Sequence, residues 1–334
     1  MAELTAQPFV KYSGGKSRLL RDLREGYPPN FNVKSAIAAN NFAITAKNRV
    51  GAKPAKTKTF VKYAEPFVDG GAALFDAPNN FSPEAVYISD INPELIAAYT
   101  AIRDQTSLLV ERLASLESVY LNSRDRAENY AENRARFNAP KTRRDQQEPD
   151  QTEIAALFIF LNRARFNGLY RVNTRSEFNV PHGHYKNPAI LNEANLRAVS
   201  ARLENARIVC GDYAKSRDFI DDRAFVYFDP PCRPLSQTAN VTAYAANGFD
   251  DAAQCELARF IDEMTARGTY VLLSNSDPEN TDQNDDFFDD LYSKHKILRV
   301  SASRIINSNP ALRGQISEIL VVGRNNDELL YQTI

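Results

Sequence analysis

The stretch VYFDPPCRPLSQTANVTAY, Val226 to Tyr244, runs an apolar strand straight into Asp229-Pro230-Pro231. One carboxylate therefore stands at the carboxyl end of a buried strand. Two prolines fix φ and remove two backbone donors, so the neighbouring carbonyls are rigid acceptors open to a partner other than the chain. A fixed acceptor cluster suits an amino group. The exocyclic amine of a nucleobase is a poor nucleophile because its lone pair is delocalised into the ring. A carboxylate and a carbonyl that each accept one N–H draw the nitrogen toward tetrahedral geometry and free that lone pair. Taken alone, the motif reads equally well as a strand ending in a Pro-rich turn.

Two glycine-containing motifs precede it. KYSGGKS, Lys11 to Ser17, ends like a phosphate-binding P-loop, but that loop needs a glycine where this chain has Val10, and a strand leading in. YAEPFVDGGAALF, Tyr63 to Phe75, reads as a strand, a Gly-Gly turn and a helix; VYISDIN follows, with Asp90 at its end. That order suits a nucleoside-containing cofactor, since glycines permit close approach and an acid at the next strand tip can hold ribose hydroxyls.

The elements that must position these groups alternate in the α/β manner. Strands are predicted at Phe60–Tyr63, Ala85–Ile88, Arg207–Val209, Ala224–Phe228, Thr269–Ser274, Ile297–Val300 and Ile316–Val322. A helix is predicted over Pro93–Leu116, capped by Asn92 with Pro93 at its first position. From about Thr100 to Arg202 the alternation gives way to helical, Arg-rich sequence interrupted by the polar stretch Pro140–Asp150, expected to be a mobile loop. This predicts a second domain, 102–202, inserted between 1–101 and 203–334.

With 334 residues, 43% hydrophobic and 25% charged, there is material for a sizeable core. The balance of 41 basic and 42 acidic residues excludes a generally basic nucleic-acid coat, so local asymmetry matters more. Phe31 to Ala64 holds no acid but carries Lys34, Lys47, Arg49, Lys53, Lys56, Lys58 and Lys62, a segment able to follow phosphates. Asp277 to Asp290 is acidic and reads as a solvated loop. Cys210, Cys232 and Cys255 have no paired spacing, so neither metal site nor disulfide framework is expected. The amino terminus lacks an apolar signal core and no run is long enough to span a bilayer, which predicts a cytoplasmic protein.

KYSGGK, EPFVDGG, SDIN, FLNRARFNGLYRVNTRSEFNVPHGHYKNP, VYFDPP with RPLSQTANVTAY, and LLSNSD together resemble the DNA N6-adenine methyltransferases of the DNA adenine methylase type, D12 class, in alpha-type motif order. The resemblance covers nearly the whole chain. It implies a Rossmann-like, S-adenosylmethionine-dependent mixed sheet with an inserted, mostly helical target-recognition domain. It implies that Tyr12, Lys16, Phe67, Gly70, Gly71, Asp90, Asp212, Tyr213 and Asp229 hold the cofactor, and that Asp229, Pro230, Pro231 and Cys232 form the catalytic motif. Phe166 and Asn167 would lie near a flipped base. Leu169, Arg171 and Pro181 would read GATC, with Asn173, His184 and Tyr185 also on DNA; the turn Thr174–Glu177 would close a groove-entering hairpin. Arg304, Asn307 and Arg313 would add backbone contacts. Double-stranded DNA is the implied partner, and a cognate restriction endonuclease in the same system, without a stable complex, is compatible with it. Nothing implies a membrane.

Four positions depart from the family pattern. Cys232 stands where a base-stacking Tyr or Phe is usual, with Tyr244 and Phe249 as candidate substitutes. Asp69 replaces the first loop glycine, His184 a phosphate-contacting Arg, and Val241 an aromatic. These leave open a weakened or inactive DNA-binding relative as the alternative. A cytosine C5 nucleophile is a rival for Cys232, disfavoured by the Asp229 charge beside it and by the absence of a following Glu-Asn-Val element. Methylation of RNA or protein amines is a third reading.

Overall fold

A computed structural model describes residues 5–12, 16–28, 60–80, 83–142, 150–166, 170–233, 249–303 and 315–323. The apolar runs become seven strands: β1 (Lys62–Glu65), β2 (Ala85–Asp90), β3 (Ala206–Cys210), β4 (Ala224–Phe228), β5 (Tyr270–Ser276), β6 (Lys296–Ser303) and β7 (Gln315–Val322). They form one mixed sheet in the order β3-β2-β1-β4-β5-β7-β6. β4 pairs in parallel with β1 and β5, whereas β7 is antiparallel to both β5 and β6. The fold is α/β with a mixed sheet, as expected, and the antiparallel strand β7 lies one strand in from the edge. The helices are α1 (Leu20–Glu25), α2 (Ala72–Asn80), α3 (Pro93–Asp104), α4 (Thr106–Asn122), α5 (Arg126–Thr142), α6 (Gln151–Ala164), α7 (Glu193–Leu203), α8 (Asp251–Ala266) and α9 (Phe287–Leu291).

The chain divides into two compact units. One comprises Met1–Lys16, Val68–Phe75 and Ile88–Asp212; the other comprises Ser17–Phe67, Asp76–Tyr87 and Tyr213–Ile334. In the second, every residue of β4 is buried, which is why its run is uniformly apolar rather than alternating. Phe225 sits among Tyr27, Tyr63 and Tyr270, with ring centroids 5.2 to 5.9 Å apart. α8, capped by Asp250 through the Ala253 amide, buries Leu257, Phe260, Ile261 and Met264.

In the first unit, α6 is apolar on almost every face and buries residues 154–162 continuously, the pattern of a helix surrounded by others. It packs against α3, α4 and α5. Its start is fixed by the Asp150 carboxylate on the amides of Thr152 and Glu153. The helix expected over Pro93–Leu116 is two helices. Gln105 leaves helical geometry at φ −134°, and Thr106 opens α4, its hydroxyl bonded to the Ile102 carbonyl and to Ser200.

The acidic segment is solvated over 279–284, as expected, but is anchored at both ends. Asp277 is fully buried and begins a 3-10 turn, Pro278–Asn280; α9 follows, and the carboxylates hold arginines. Asp277 and Asp289 bind Arg299, and Asp285 binds Arg233. Charge counting sees like charges, whereas the fold inserts two cations between them. Most of the basic segment lies outside the described residues, as do 143–149 of the polar stretch and Val241, Tyr244, Arg304, Asn307 and Arg313. Lys62, at its end, pairs with Asp221 at 2.6 Å. Among the described residues no helix is long and apolar enough to cross a membrane.

Candidate active site and nucleic-acid interface

In the first unit, the turn after Phe67 is built on the end of β2. The Val68 amide donates to Ser89 O at 3.1 Å, and Gly71 donates back to Val68 O at 2.8 Å before α2 begins. Gly71 has φ +74°, and a Cβ there would meet the Tyr99 hydroxyl at 2.6 Å, so the fold itself demands glycine. A Cβ on Gly70 would make only ordinary contacts, 3.5 Å from Val10 O and 3.6 Å from Tyr12 Cβ. Space at Gly70 is thus not required by packing, as befits a surface approached by a ligand. Asp69 takes φ +45°, a left-handed conformation that aspartate tolerates better than most residues. Its amide donates to Asp90 Oδ2 at 3.3 Å and its carbonyl accepts from Tyr99 OH at 3.1 Å.

Asp90 therefore organises the site from the strand tip. Its Oδ1 accepts from the Asn92 amide at 2.9 Å. Burial pushes its carboxyl up to about 6, against the amides of Asn92, Asp69 and Ile91, which favour the charged form. Asn92, read from the sequence only as a helix cap, caps α3 through Oδ1 and donates through Nδ2 to Tyr12 OH at 3.4 Å. The Tyr12 ring stacks on Tyr170, 6.4 Å away and 12° from parallel. Lys16 is buried, 5% exposed, in a short 3-10 turn. At the end of β3 the Gly211 amide donates to Asp90 O at 2.8 Å, which places exposed Asp212 beyond it. The set fits a nucleoside-containing cofactor: a tight turn without side chains, a strand-tip carboxylate with further lone pairs for hydroxyls, and flanking tyrosines.

In the second unit, Phe67 and Tyr213 lie 5.7 Å apart and 31° from parallel. Phe249 meets Phe67 edge-on at 5.8 Å, so this substitute ring belongs to the Phe67 cluster. Asp229 leaves the end of β4, where the register Phe228 to Leu273 brings it opposite Ser274. Ser274 Oγ donates to Asp229 Oδ1 at 2.9 Å and lies 2.7 Å from Tyr227 OH. Burial, then the Asp229 charge, hold the Tyr227 phenol well above its ordinary range, so it stays a neutral hydroxyl. Pro230 is buried. The Pro231 carbonyl, expected to be left to a partner other than the chain, instead accepts from Gln254 Nε2 at 3.0 Å. Cys232 is exposed and in no disulfide. Among the described residues no cluster could hold a metal ion.

The segment after α6 is a clasp within the first unit. Bridges join Arg165 to His182 and Val172 to Phe178. Asn173 builds the turn: its Oδ1 accepts from the amides of Arg175 and Glu177, and its Nδ2 donates to Glu177 at 2.7 Å. That side chain is therefore committed to the turn. Arg171 is exposed and oriented by Asn179, donating through Nε to Oδ1 at 2.7 Å. Asn138 ties the clasp to α5 through both backbone groups of Phe178. Phe166 is 46% exposed, its amide on Pro181 O at 3.0 Å. His184 is exposed at φ +52°, its ring 4.5 Å from that of His182. Tyr185 lies under Lys11 Nζ, 5.0 Å from the ring centroid. Asn167 and Leu169 lie outside the described residues.

Sequence reading missed Ser274, Gln254, Asn275 and Arg233 around the Asp-Pro-Pro loop, and Asn138 and Asn179 around the clasp. LLSNSD was the only signal for two of them.

Residues 54–306 match the D12 class N6 adenine-specific DNA methyltransferase family. The chain is 38% identical to the type II methyltransferase M.MjaIII of Methanocaldococcus jannaschii over 322 residues, 96% of this chain and 99% of that one. It is 30% identical to the type II methyltransferase M1.LlaDCHI of Lactococcus lactis subsp. cremoris, covering 97% and 98%. It is 32% identical to the DNA adenine methylase of Escherichia coli (strain K12), covering 94% of each. A strand-tip acid beside a glycine turn and an Asp-Pro-Pro at the end of the central strand are thus set within a match that runs the length of the molecule. The chain belongs to the D12 class of N6 adenine-specific DNA methyltransferases, enzymes whose methyl donor is S-adenosylmethionine.

Proposed function

We propose that this enzyme methylates N6 of adenine turned out of duplex DNA, within GATC sites, and that Asp229 and the Pro230 carbonyl hold the reacting amine. The seat of Asp229 carries the reading: it ends a fully buried strand between two parallel neighbours, and Ser274 orients its carboxylate. Each of the two acceptors takes one amine hydrogen, which turns the nitrogen lone pair away from the ring and toward the methyl carbon. The bound cofactor supplies that carbon, activated by its positively charged sulfur. As the new nitrogen–carbon bond forms, the carbon–sulfur bond would break and its electron pair would leave on sulfur as a neutral thioether; the extra proton on nitrogen would pass to solvent water, so neither a covalent enzyme intermediate nor a dedicated base is needed. Phe67, Gly70, Gly71 and Asp90 hold the cofactor in this reading, with Tyr12, Lys16, Asp212 and Tyr213 around it.

Residues 102–202 act as the target-recognition domain. Arg171, aimed by Asn179, reads a guanine edge, and Leu169 and Pro181 meet the thymine methyl. Phe166 and Asn167 border the vacated stack; His184 and Tyr185 meet the backbone, and Asn173 shapes the turn. Two relatives are named type II methyltransferases, which favours a restriction-modification setting; a cognate endonuclease without a stable complex belongs to the same reading. Methyl transfer from labelled S-adenosylmethionine to duplexes with and without GATC, by the native chain and Asp229→Ala, tests the reading. Incorporation at N6 confined to GATC and lost in the variant is expected. Equal incorporation into both duplexes would remove the GATC assignment, and an active variant would remove the role of Asp229.

A further inference from the structure

Arg233 follows Cys232 directly and is held from three sides. Its Nε and Nη2 donate to the two carboxylate oxygens of Asp251, at the start of α8, at 2.8 and 3.0 Å. Its Nη1 donates to Asp285 Oδ2 at 2.6 Å. The guanidinium lies over Phe287, 4.2 Å from the ring centroid. The backbone of the same residue is gripped as well. Its amide donates to Asn275 Oδ1 at 3.3 Å, and its carbonyl accepts from Ser276 Oγ at 3.3 Å. Asn275 in turn reaches Gln254, which holds the Pro231 carbonyl.

An ordinary surface ion pair contributes little, because solvent screens it and two long side chains lose freedom. This arginine differs: its side chain is only 19% exposed, its fork is matched bidentately by one carboxylate, and an aromatic face covers it. The residues of the acidic segment thereby reach the Asp-Pro-Pro loop. Their purpose is otherwise unexplained by the chemistry of methyl transfer. At Cys232 the loop carries no ring to lean on a substrate base, so its backbone must be held by the protein alone.

We propose that Arg233 is a positioning residue for methyl transfer, and that the Asp251–Arg233–Asp285 clamp holds the loop so that Asp229 and the Pro230 carbonyl meet the substrate amine in register. The inference rests on the reading of Asp229 and Pro230 given above. Loosening the clamp leaves every reacting group in the molecule but shifts it, and displacement by about an ångström costs on the order of a hundredfold in rate.

The test uses the full chain, single-turnover methyl transfer to an adenine-containing duplex, and separate titrations of cofactor and duplex. Arg233→Ala is expected to slow transfer about ten- to hundredfold, with both dissociation constants within about twofold of native. Arg233→Lys recovers part of the rate, since charge without the fork restores one of the two pairs. Asp285→Asn, a milder change that guards against a folding defect in the first variant, slows transfer alone but adds less than its own effect to Arg233→Ala. Native rates in Arg233→Ala, or a loss accounted for by weaker binding or by unfolding on circular dichroism, would overturn the proposal. Native rates in Asp229→Ala would overturn the underlying reading instead.

Discussion

Ser274 Oγ donates to Asp229 Oδ1 at 2.9 Å across two adjacent parallel strands. Because that proton points at the carboxylate, the Tyr227 hydroxyl, 2.7 Å from the same oxygen, must donate to Ser274. A relay of two neutral hydroxyls thus fixes one rotamer of the carboxylate. A hydrogen bond to a charged group is worth about 1.5–3 kcal/mol, so Ser274→Ala is expected to lower the single-turnover rate by about tenfold or more. Cofactor affinity, read by calorimetry, stays near native.

Cys232→Tyr is expected to raise activity. Cys232 is exposed, and the one described substitute ring, Phe249, is edge-on to Phe67. A new aromatic face adds base stacking worth about 1–3 kcal/mol. Fluorescence of 2-aminopurine at the target position follows base capture directly, alongside kcat/KM; an unchanged signal means that the duplex finds its stacking surface elsewhere.

Asp69→Gly is expected to stabilise the turn proposed to hold the cofactor. The φ of +45° at Asp69 costs a non-glycine residue about 1 kcal/mol or more, while Gly71 already supplies the second left-handed position. Removing the side chain leaves the Asp69 amide and carbonyl bonds to Asp90 and Tyr99 intact. The outcome is a higher Tm and tighter S-adenosylmethionine binding, read by thermal denaturation with and without cofactor.

If Asp90 holds the cofactor as proposed, binding is expected to be pH-dependent. Its folded-state pKa of about 6 lies above the ordinary 3.8, so protonation favours the empty fold. That contribution is fully present below the ordinary value and is lost as pH rises through about 6. Ribose hydroxyls in the proposed site would donate to the charged form, so S-adenosylmethionine affinity is expected to rise from pH 5 to about 7 and then level. Asp90→Asn flattens this profile and weakens binding at pH 8, as fluorescence titration would register.

Arg171→Ala is expected to relax selection at the guanine, where a bidentate pair discriminates by about 1–3 kcal/mol. Asn179→Ala, which removes the side-chain acceptor 2.7 Å from Nε, gives a smaller loss in the same direction. Methylation of a library with single-base changes around the target measures both. Unchanged selectivity in Arg171→Ala reassigns that arginine to phosphate.

What the sequence made legible was whatever depends on neighbours in the chain. β4 was read to the residue because both its faces are buried and Asp-Pro ends it, and Asn92-Pro93 signals the start of α3 through local capping. The break at Gln105 was hidden because no Gly or Pro marks it and apolar residues resume at Leu108 and Leu109. The relay through Ser274 and the grip of Gln254 were not legible, since their partners lie 45 and 23 residues away. The arginine partners of the acidic segment were hidden for the same reason: Arg233 is 52 residues from Asp285, and composition does not show which cation a carboxylate will meet.

The position of β7 between β5 and β6 has a consequence in time. As the chain leaves the ribosome, β5 and β6 are both complete before the strand that joins them exists. Until residues 315–322 emerge, two strand edges stand with their amides and carbonyls unpaired, a template for association with other chains. The last strand thus closes the sheet like a wedge. A chain ending before Gln315 is expected to aggregate rather than to fold as a shorter protein.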